Sequence, residues 1–211
     1  MLSRKVVTRS GRKIRGHFPS LKMGQMVPWE SLLERDAILL FEFSPGVRTF
    51  RAQPEEVVYV DQETTRRYYP DFEITGNGGR VIHVEVKPEA MLARPDVARK
   101  LRSVADHYRR QGRDYRVLTD QTIRSEPLHR NLTLLGRFLK PLDGVEAVLP
   151  ELRTWLFEGP QPFGALCDRF GDSIAYRLVA RCHVHCDLTQ PLTPQSRICF
   201  PKEDHHDQVL F

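Results

Sequence analysis

The chain has 211 residues, 40% hydrophobic and 28% charged, enough to bury a core in one medium domain or two small ones. Its longest apolar run, residues 37–41, is too short to span a bilayer, and the basic N-terminus lacks the apolar stretch of a secretory signal. A cytoplasmic chain without a membrane partner is expected, its four cysteines do not make a disulfide framework there, and a net charge of +5 favours polyanionic partners.

Residues 1–28 read as a basic arm. No Asp or Glu occurs before Glu30, whereas Arg4, Lys5, Arg9, Arg12, Lys13, Arg15 and Lys22 do. Such an arm is either a solvated tail or a contact for the DNA backbone. Residues 29–140 then read as helix, strands, helix and strand. Trp29, Leu32, Leu33, Leu40 and Phe41 recur at helical spacing, which predicts a helix over 29–43, stopped by Pro45-Gly46. Residues 47–53 and 57–60 alternate as extended segments. Strands over 68–74 and 80–87 flank Gly76-Asn77-Gly78-Gly79, a hairpin-type turn. Pro95 opens a second helix with Val97, Leu101, Val104, Ala105 and Tyr108 on one face. Gly112 ends it before a strand over 115–119. The αβββαβ order predicts an α/β fold, a mixed sheet flanked by helices.

Beyond Lys140-Pro141-Leu142-Asp143-Gly144, residues 141–211 read as a small winged-helix-like domain. Helices are predicted over 145–157, 163–170 and 173–182, followed by a ribbon of 184–188 with 197–200. Arg177 and Arg181, one turn apart on the third helix, are candidate DNA or partner contacts. Cys182-His183-Val184-His185-Cys186 carries metal-ligand residue types at a spacing unlike zinc sites, and is read as a helix end running into a strand.

The chemistry concentrates at Pro70-Asp71 and Glu85-Val86-Lys87. Side chains alternate along a strand, so Ile82, Val84 and Val86 share one face and His83, Glu85 and Lys87 the other. The Gly-rich hairpin returns Asp71 beside them. Two strand-borne carboxylates and an amine suit Mg²⁺, with Mn²⁺ able to substitute. A metal site of this kind activates water, and Lys87 orients or deprotonates that water or stabilises the pentacovalent state. Alternatively, Glu85 and Lys87 form an ordinary ion pair. Glu34, on the first helix at the edge of its apolar stripe, is either paired elsewhere or a third acid of the site. His83 is expected at the edge of the site.

Four blocks, Trp29-Glu30-Ser31-Leu32-Leu33-Glu34-Arg35-Asp36, Gln53-Pro54, Tyr69-Pro70-Asp71-Phe72 and Glu85-Val86-Lys87-Pro88, occur in an order and spacing that resemble the TnsA family. These are the endonuclease subunits of heteromeric transposases. The resemblance covers roughly residues 1–140 and implies a restriction-endonuclease-like PD-(D/E)xK core. It implies cleavage of the non-transferred strand at the 5′ ends of a mobile element of double-stranded DNA. It further implies a TnsB-like partner transposase with a DDE core and a TnsC-like ATPase regulator. Carried over by position, Glu34, Asp71 and Glu85 are the metal-side acids and Lys87 the lysine. Gln53 falls in the second block as an accessory residue. The rival assignments are a stand-alone restriction or repair nuclease and a non-catalytic DNA-binding adaptor.

Overall fold

The computed structural model describes residues 14–61, 63–139, 144–201 and 209–211. The chain divides into two compact units: Met1–Arg124 together with Val209–Phe211, and Ser125–Gln208.

Among the described residues of the first unit, the first elements are a hairpin, β1 (Gly16–Ser20) and β2 (Gln25–Trp29), paired antiparallel. Gly16 lies flat beneath the Trp29 indole, where an added Cβ would stand 2.5 Å from the ring. Helix α1 therefore spans Leu32–Phe43 rather than starting at Trp29. The stronger start signal is Ser31, extended at φ −148°, whose hydroxyl accepts the Glu34 N–H at 3.2 Å. The rest of the unit runs β3 (Val47–Ala52), β4 (Val57–Asp61), β5 (Thr64–Tyr68), β6 (Phe72–Gly76) and β7 (Val81–Lys87). There follow α2 (Glu89–Leu92), α3 (Pro95–Arg110), β8 (Asp114–Thr119) and α4 (Asp120–Ile123).

The main sheet has the order β3-β6-β7-β8, with β3, β6 and β7 antiparallel and β8 parallel to β7. This is the mixed sheet flanked by helices that the sequence predicts, with one addition. β4 and β5 form a separate antiparallel hairpin inserted between β3 and β6. The strand expected over 68–74 is thereby split. Pro70 offers no N–H to a ladder, so β5 ends at Tyr68 and β6 starts at Phe72.

Both faces of the sheet are covered. On one, Phe41 of α1 packs its ring against Phe50 at 5.6 Å and Phe72 at 5.2 Å. Phe211 meets the same ring at 5.4 Å, and the Leu210 N–H donates to Ser44 Oγ at 3.1 Å. On the other, Val57, Tyr59 and Tyr68 of the hairpin join Val104 and Tyr108 of α3 in one core cluster, with Tyr115 against it. Helix α1 is buried nearly all round, so its acids Asp36 and Glu42 lie inside and need partners. Asp36 receives Arg35 at 2.7 Å and Arg124 at 2.8 Å. Glu42 accepts the Leu21 and Lys22 N–H groups, each at 2.9 Å, and the Ser20 hydroxyl at 2.6 Å. Glu42→Ala leaves three donors without an acceptor. A stability loss of about 3 kcal/mol is expected from hydrogen bonds to a charged group, read as a lower denaturant midpoint.

The second unit contains α5 (Leu128–Gly136), α6 (Val145–Phe157), β9 (Gln161–Pro162), α7 (Phe163–Phe170) and α8 (Asp172–Ala180). It closes with β10 (His185–Cys186) and β11 (Arg197–Cys199), in a three-stranded sheet of order β10-β11-β9. The unit boundary falls before α5 rather than near residue 140, because α5 is pinned to this unit. Asn131, buried, donates to the carbonyls of Leu188 at 2.9 Å and Gln190 at 2.7 Å. Among the described residues no helix is long and apolar enough to cross a membrane.

Candidate active site

The centre of interest forms where β6 and β7 part. Their ladder stops at the pair Phe72↔Val84. One residue earlier, the Asp71 carboxylate takes the place of a strand partner: its Oδ2 accepts the Val86 N–H at 2.8 Å. Backbone pairing thus fixes Asp71 beside the Glu85-Val86-Lys87 run. β8 holds the other edge of that run in parallel register, Glu85↔Val117 and Lys87↔Thr119.

Phe72 and Val84 pair directly and turn toward Phe41, so His83, Glu85 and Lys87 turn the other way, toward α3. The shared face read from the sequence is present. It is an enclosed layer rather than an open surface: Glu85 is 2% exposed. Lys87 Nζ stands 2.6 Å from Glu85 Oε1 and 3.7 Å from Asp71 Oδ2, and donates to the Val86 carbonyl at 3.1 Å. Tyr68 donates its hydroxyl to Glu85 Oε2.

The electrostatics follow from crowding acids in a dry place. Burial drives the Asp71 carboxyl well above the usual range; Glu85 and Glu34 push the same way, against Lys87. Burial acts to lower the Lys87 pKa, but Asp71 and Glu85 outweigh it and hold the ammonium above its ordinary value. Burial likewise raises Glu34, opposed by hydrogen bonds from the Glu30 N–H and Ser31. The field of Glu34 reaches Asp71 and Lys87, yet its carboxylate is turned to its own helix end. Oε2 accepts the Glu30 N–H at 2.7 Å and Oε1 the Ser31 hydroxyl at 3.0 Å. Glu34 is therefore partnered at its own helix end, not by a distant cation, and lies within electrostatic reach of Asp71 and Lys87.

Gln53 acts on Asp71 through the main chain. Its N–H donates to the Asp71 carbonyl at 2.9 Å from a left-handed backbone, φ 42°, and the residue is buried. His83 is not at the edge of the site. It is 1% exposed, stacked on Tyr108 at 4.7 Å, and faces Arg113 at 2.8 Å with Glu55 and Glu73 each at 3.3 Å. The strand carries it two positions down the same face, under α3, where a charged cluster encloses it.

The basic residues named from the sequence scatter. Arg4, Lys5, Arg9, Arg12 and Lys13 lie outside the described residues. Arg15 is half-buried. Lys22 donates its ammonium to the carbonyls of Phe41 at 2.8 Å and Ser44 at 2.7 Å, closing the C-terminal end of α1. Arg177 is half-buried in α8, and Arg181, at its C-cap, reaches Glu146 at 3.5 Å with 16% of its side chain exposed. Neither presents an open recognition face.

Residues 44–120 match the family model described as TnsA-like endonuclease N terminal. Over this stretch the chain is similar to TnsA-like endonuclease N-terminal domains. No curated protein matches the chain. The TnsA-like domain so delimited contains Gln53, Asp71, Glu85 and Lys87, and leaves Glu34 outside. The match takes in three of the four sequence blocks, Gln53-Pro54, Tyr69-Pro70-Asp71-Phe72 and Glu85-Val86-Lys87-Pro88, and supports the family resemblance there. Two residues that matter to the TnsA-like centre, Tyr68 and Tyr115, escape a sequence reading. Tyr68 stands next to the Tyr69-Pro70-Asp71 block, but only the tertiary return of β5 brings its hydroxyl to Glu85.

The donor set can be tested against the metal that the TnsA-like assignment implies. Among the described residues no three His, Cys, Asp or Glu side chains are gathered closely enough to hold an ion. The centre supplies two carboxylates, Asp71 and Glu85, with the Val86 carbonyl beside Lys87. That set fits Mg²⁺, which keeps several waters and is commonly held by one or two carboxylates plus substrate phosphate. Like-charged acids in a buried site are also what a divalent cation relieves.

Proposed function

We propose that the chain is a metal-dependent DNA endonuclease, the subunit of a heteromeric transposase that cuts the non-transferred strand at the 5′ ends of a mobile element. The observation that carries this is the meeting of Asp71, Glu85 and Lys87 at the end of β7, inside the stretch that matches the TnsA-like endonuclease family. The substrate is double-stranded DNA, and hydrolysis leaves 3′-hydroxyl and 5′-phosphate ends. A TnsB-like DDE transposase processes the other strand and a TnsC-like ATPase governs both.

Asp71 and Glu85 would hold Mg²⁺, or Mn²⁺ in its place, with Glu34 as the third acid. Bound there, the ion supplies Lewis acidity that lowers the pKa of a water and offsets charge building on phosphorus. The protein's own part is positioning. The Val86 N–H fixes Asp71 and the Tyr68 hydroxyl fixes Glu85, so neither carboxylate reorients as charge develops. Lys87, anchored by both acids, is placed to donate to a phosphate oxygen or to the attacking water.

We read the second unit as winged-helix-like. Its support is the succession α6, β9, α7, α8, β10, β11 with the sheet order β10-β11-β9.

The test is an excision assay with the partner transposase, resolving the two strands separately. Wild type is expected to cut both ends of the element, and Asp71→Ala to lose 5′-strand cutting while 3′-strand joining continues. Unchanged double-strand excision by that variant sinks the assignment. Robust cleavage by the isolated chain points instead to a stand-alone nuclease. Absence of both cleavage and an Asp71-dependent metal site points to an adaptor.

A further inference from the structure

Strand β7 places the backbone of Glu85 but not the plane of its carboxylate. The terminal torsion of a glutamate is broad and two-fold, so a partner must choose the orientation. Each Glu85 oxygen has one: Oε1 faces Lys87 Nζ at 2.6 Å, and Oε2 accepts the Tyr68 hydroxyl. Tyr68 has a single hydroxyl hydrogen, which goes to Glu85. The Tyr115 hydroxyl, 3.1 Å from that of Tyr68, is therefore the donor of the next bond, completing the chain Tyr115 to Tyr68 to Glu85.

This chain is braced from several sides. The Tyr115 ring stacks on Tyr108 at 5.2 Å and 9°, and Tyr108 is fully buried on α3. Tyr59 meets the Tyr68 ring edge-on at 6.3 Å, and Lys100 Nζ lies 5.0 Å above it. Tyr68 itself is 3% exposed. A neutral donor with so little freedom, aimed at one oxygen of a buried carboxylate, is more than filler for the core. The hairpin β4–β5, inserted between two strands of the main sheet, carries it there.

We infer that Tyr68 is a positioning residue of this centre, backed by Tyr115: it holds Glu85 Oε2 so that Oε1 stays on the side of Lys87 and Asp71, where a divalent cation would be held. The inference rests on the endonuclease assignment and adds to it the residue that orients the second ligand. Without the hydroxyl, Oε2 loses its partner in a dry site and the carboxylate turns both oxygens toward Lys87, which then competes better with the metal. Removing an outer partner of a metal ligand weakens metal affinity about 10–100-fold.

The experiment is titration of Mn²⁺ into the full chain by calorimetry, with thermal denaturation in parallel. Four proteins are compared: wild type, Tyr68→Phe, Tyr115→Phe and Asp71→Asn. Expected are a Kd about 10–100-fold weaker for Tyr68→Phe, a smaller change in the same direction for Tyr115→Phe, and no measurable binding by Asp71→Asn. A role in packing alone would lower the melting temperature of Tyr68→Phe and leave its Kd where it was. That result, with Asp71→Asn still unable to bind, overturns the positioning role and leaves the endonuclease assignment standing. If wild type takes up no Mn²⁺, or Asp71→Asn binds as wild type does, both fall together.

Discussion

Asp71→Asn is expected to abolish strand cleavage while leaving the first unit at least as stable as wild type. The two effects separate because Asp71 does two jobs with different requirements. Its structural job is to accept the Val86 N–H at 2.8 Å, and an asparagine carbonyl oxygen of the same shape does this equally well. The chemical job proposed for it needs negative charge for a cation, and the amide has none. Several kcal/mol of charge stabilisation disappear with the metal, a loss on the order of a thousandfold in rate at about 1.4 kcal/mol per factor of ten. Stability moves the other way. Burial, Glu85 and Glu34 hold the Asp71 carboxyl well above its ordinary range, so its ionised form disfavours the folded state. Protonation therefore favours folding. With divalent ions chelated, wild type gains stability as pH falls from the raised folded value toward the ordinary value of about 3.9, and the Asn variant lacks that gain. Denaturant titrations in chelator across this window, beside a nicking assay, give both readings. A large stability loss at neutral pH would show that the Asp71 charge supports the fold.

Lys87→Met has the opposite signature. In wild type the ammonium lies between buried Glu85, at 2.6 Å, and half-buried Asp71, at 3.7 Å. Methionine keeps much of the apolar stem and removes the charge, leaving the carboxylates facing each other. Removing one partner of a buried ion pair costs about 3 kcal/mol or more, and here the stranded groups repel. The metal-free variant should therefore unfold at clearly lower denaturant concentration. Millimolar Mg²⁺ or Mn²⁺ should restore much of that loss, since the cation takes over the neutralising role and stabilises by mass action. Cleavage stays lost, because the donor to phosphate or water is gone. The variant should also bind the cation no more weakly than wild type, having lost an internal competitor. A midpoint unmoved by Lys87→Met, or metal binding that fails with it, would contradict this account of the centre.

How much of this was legible in the sequence varies by element. The alternation of Val81–Lys87 placed Glu85 and Lys87 on one face, and the turn at Gly76-Asn77-Gly78-Gly79 brought Asp71 to them. Pro95 marked the first turn of α3. What the alternation could not tell is that β7 is covered on both sides. A polar strand face under a helix reads the same as one in water, which is why His83 was placed at a rim and not inside a charged cluster. The hairpin β4–β5 was half seen. Four of the five residues of Thr64–Tyr68 are exposed and two of them are arginines, so β5 carries almost no apolar period. β1 and β2 were hidden for a similar reason, with Trp29 lending its spacing to the neighbouring helix. Glu34 was identified as an acid at a critical position, but its engagement with Ser31 and Glu30 depends on where α1 begins. Tyr68 depends on long-range geometry that no local pattern encodes.

One structural detail bears on how the polypeptide is made. The bond from the Leu210 N–H to Ser44 Oγ joins positions 166 apart in the chain, and Phe211 seals an edge of Phe41 in the aromatic core. A ribosome moving from the N-terminus finishes the sheet strands long before it delivers these closing residues. Until residues 209–211 are made, Phe41 lacks its Phe211 neighbour and Ser44 its bond from Leu210. That interval is when a chaperone would hold the protein and when sticky self-association is most dangerous.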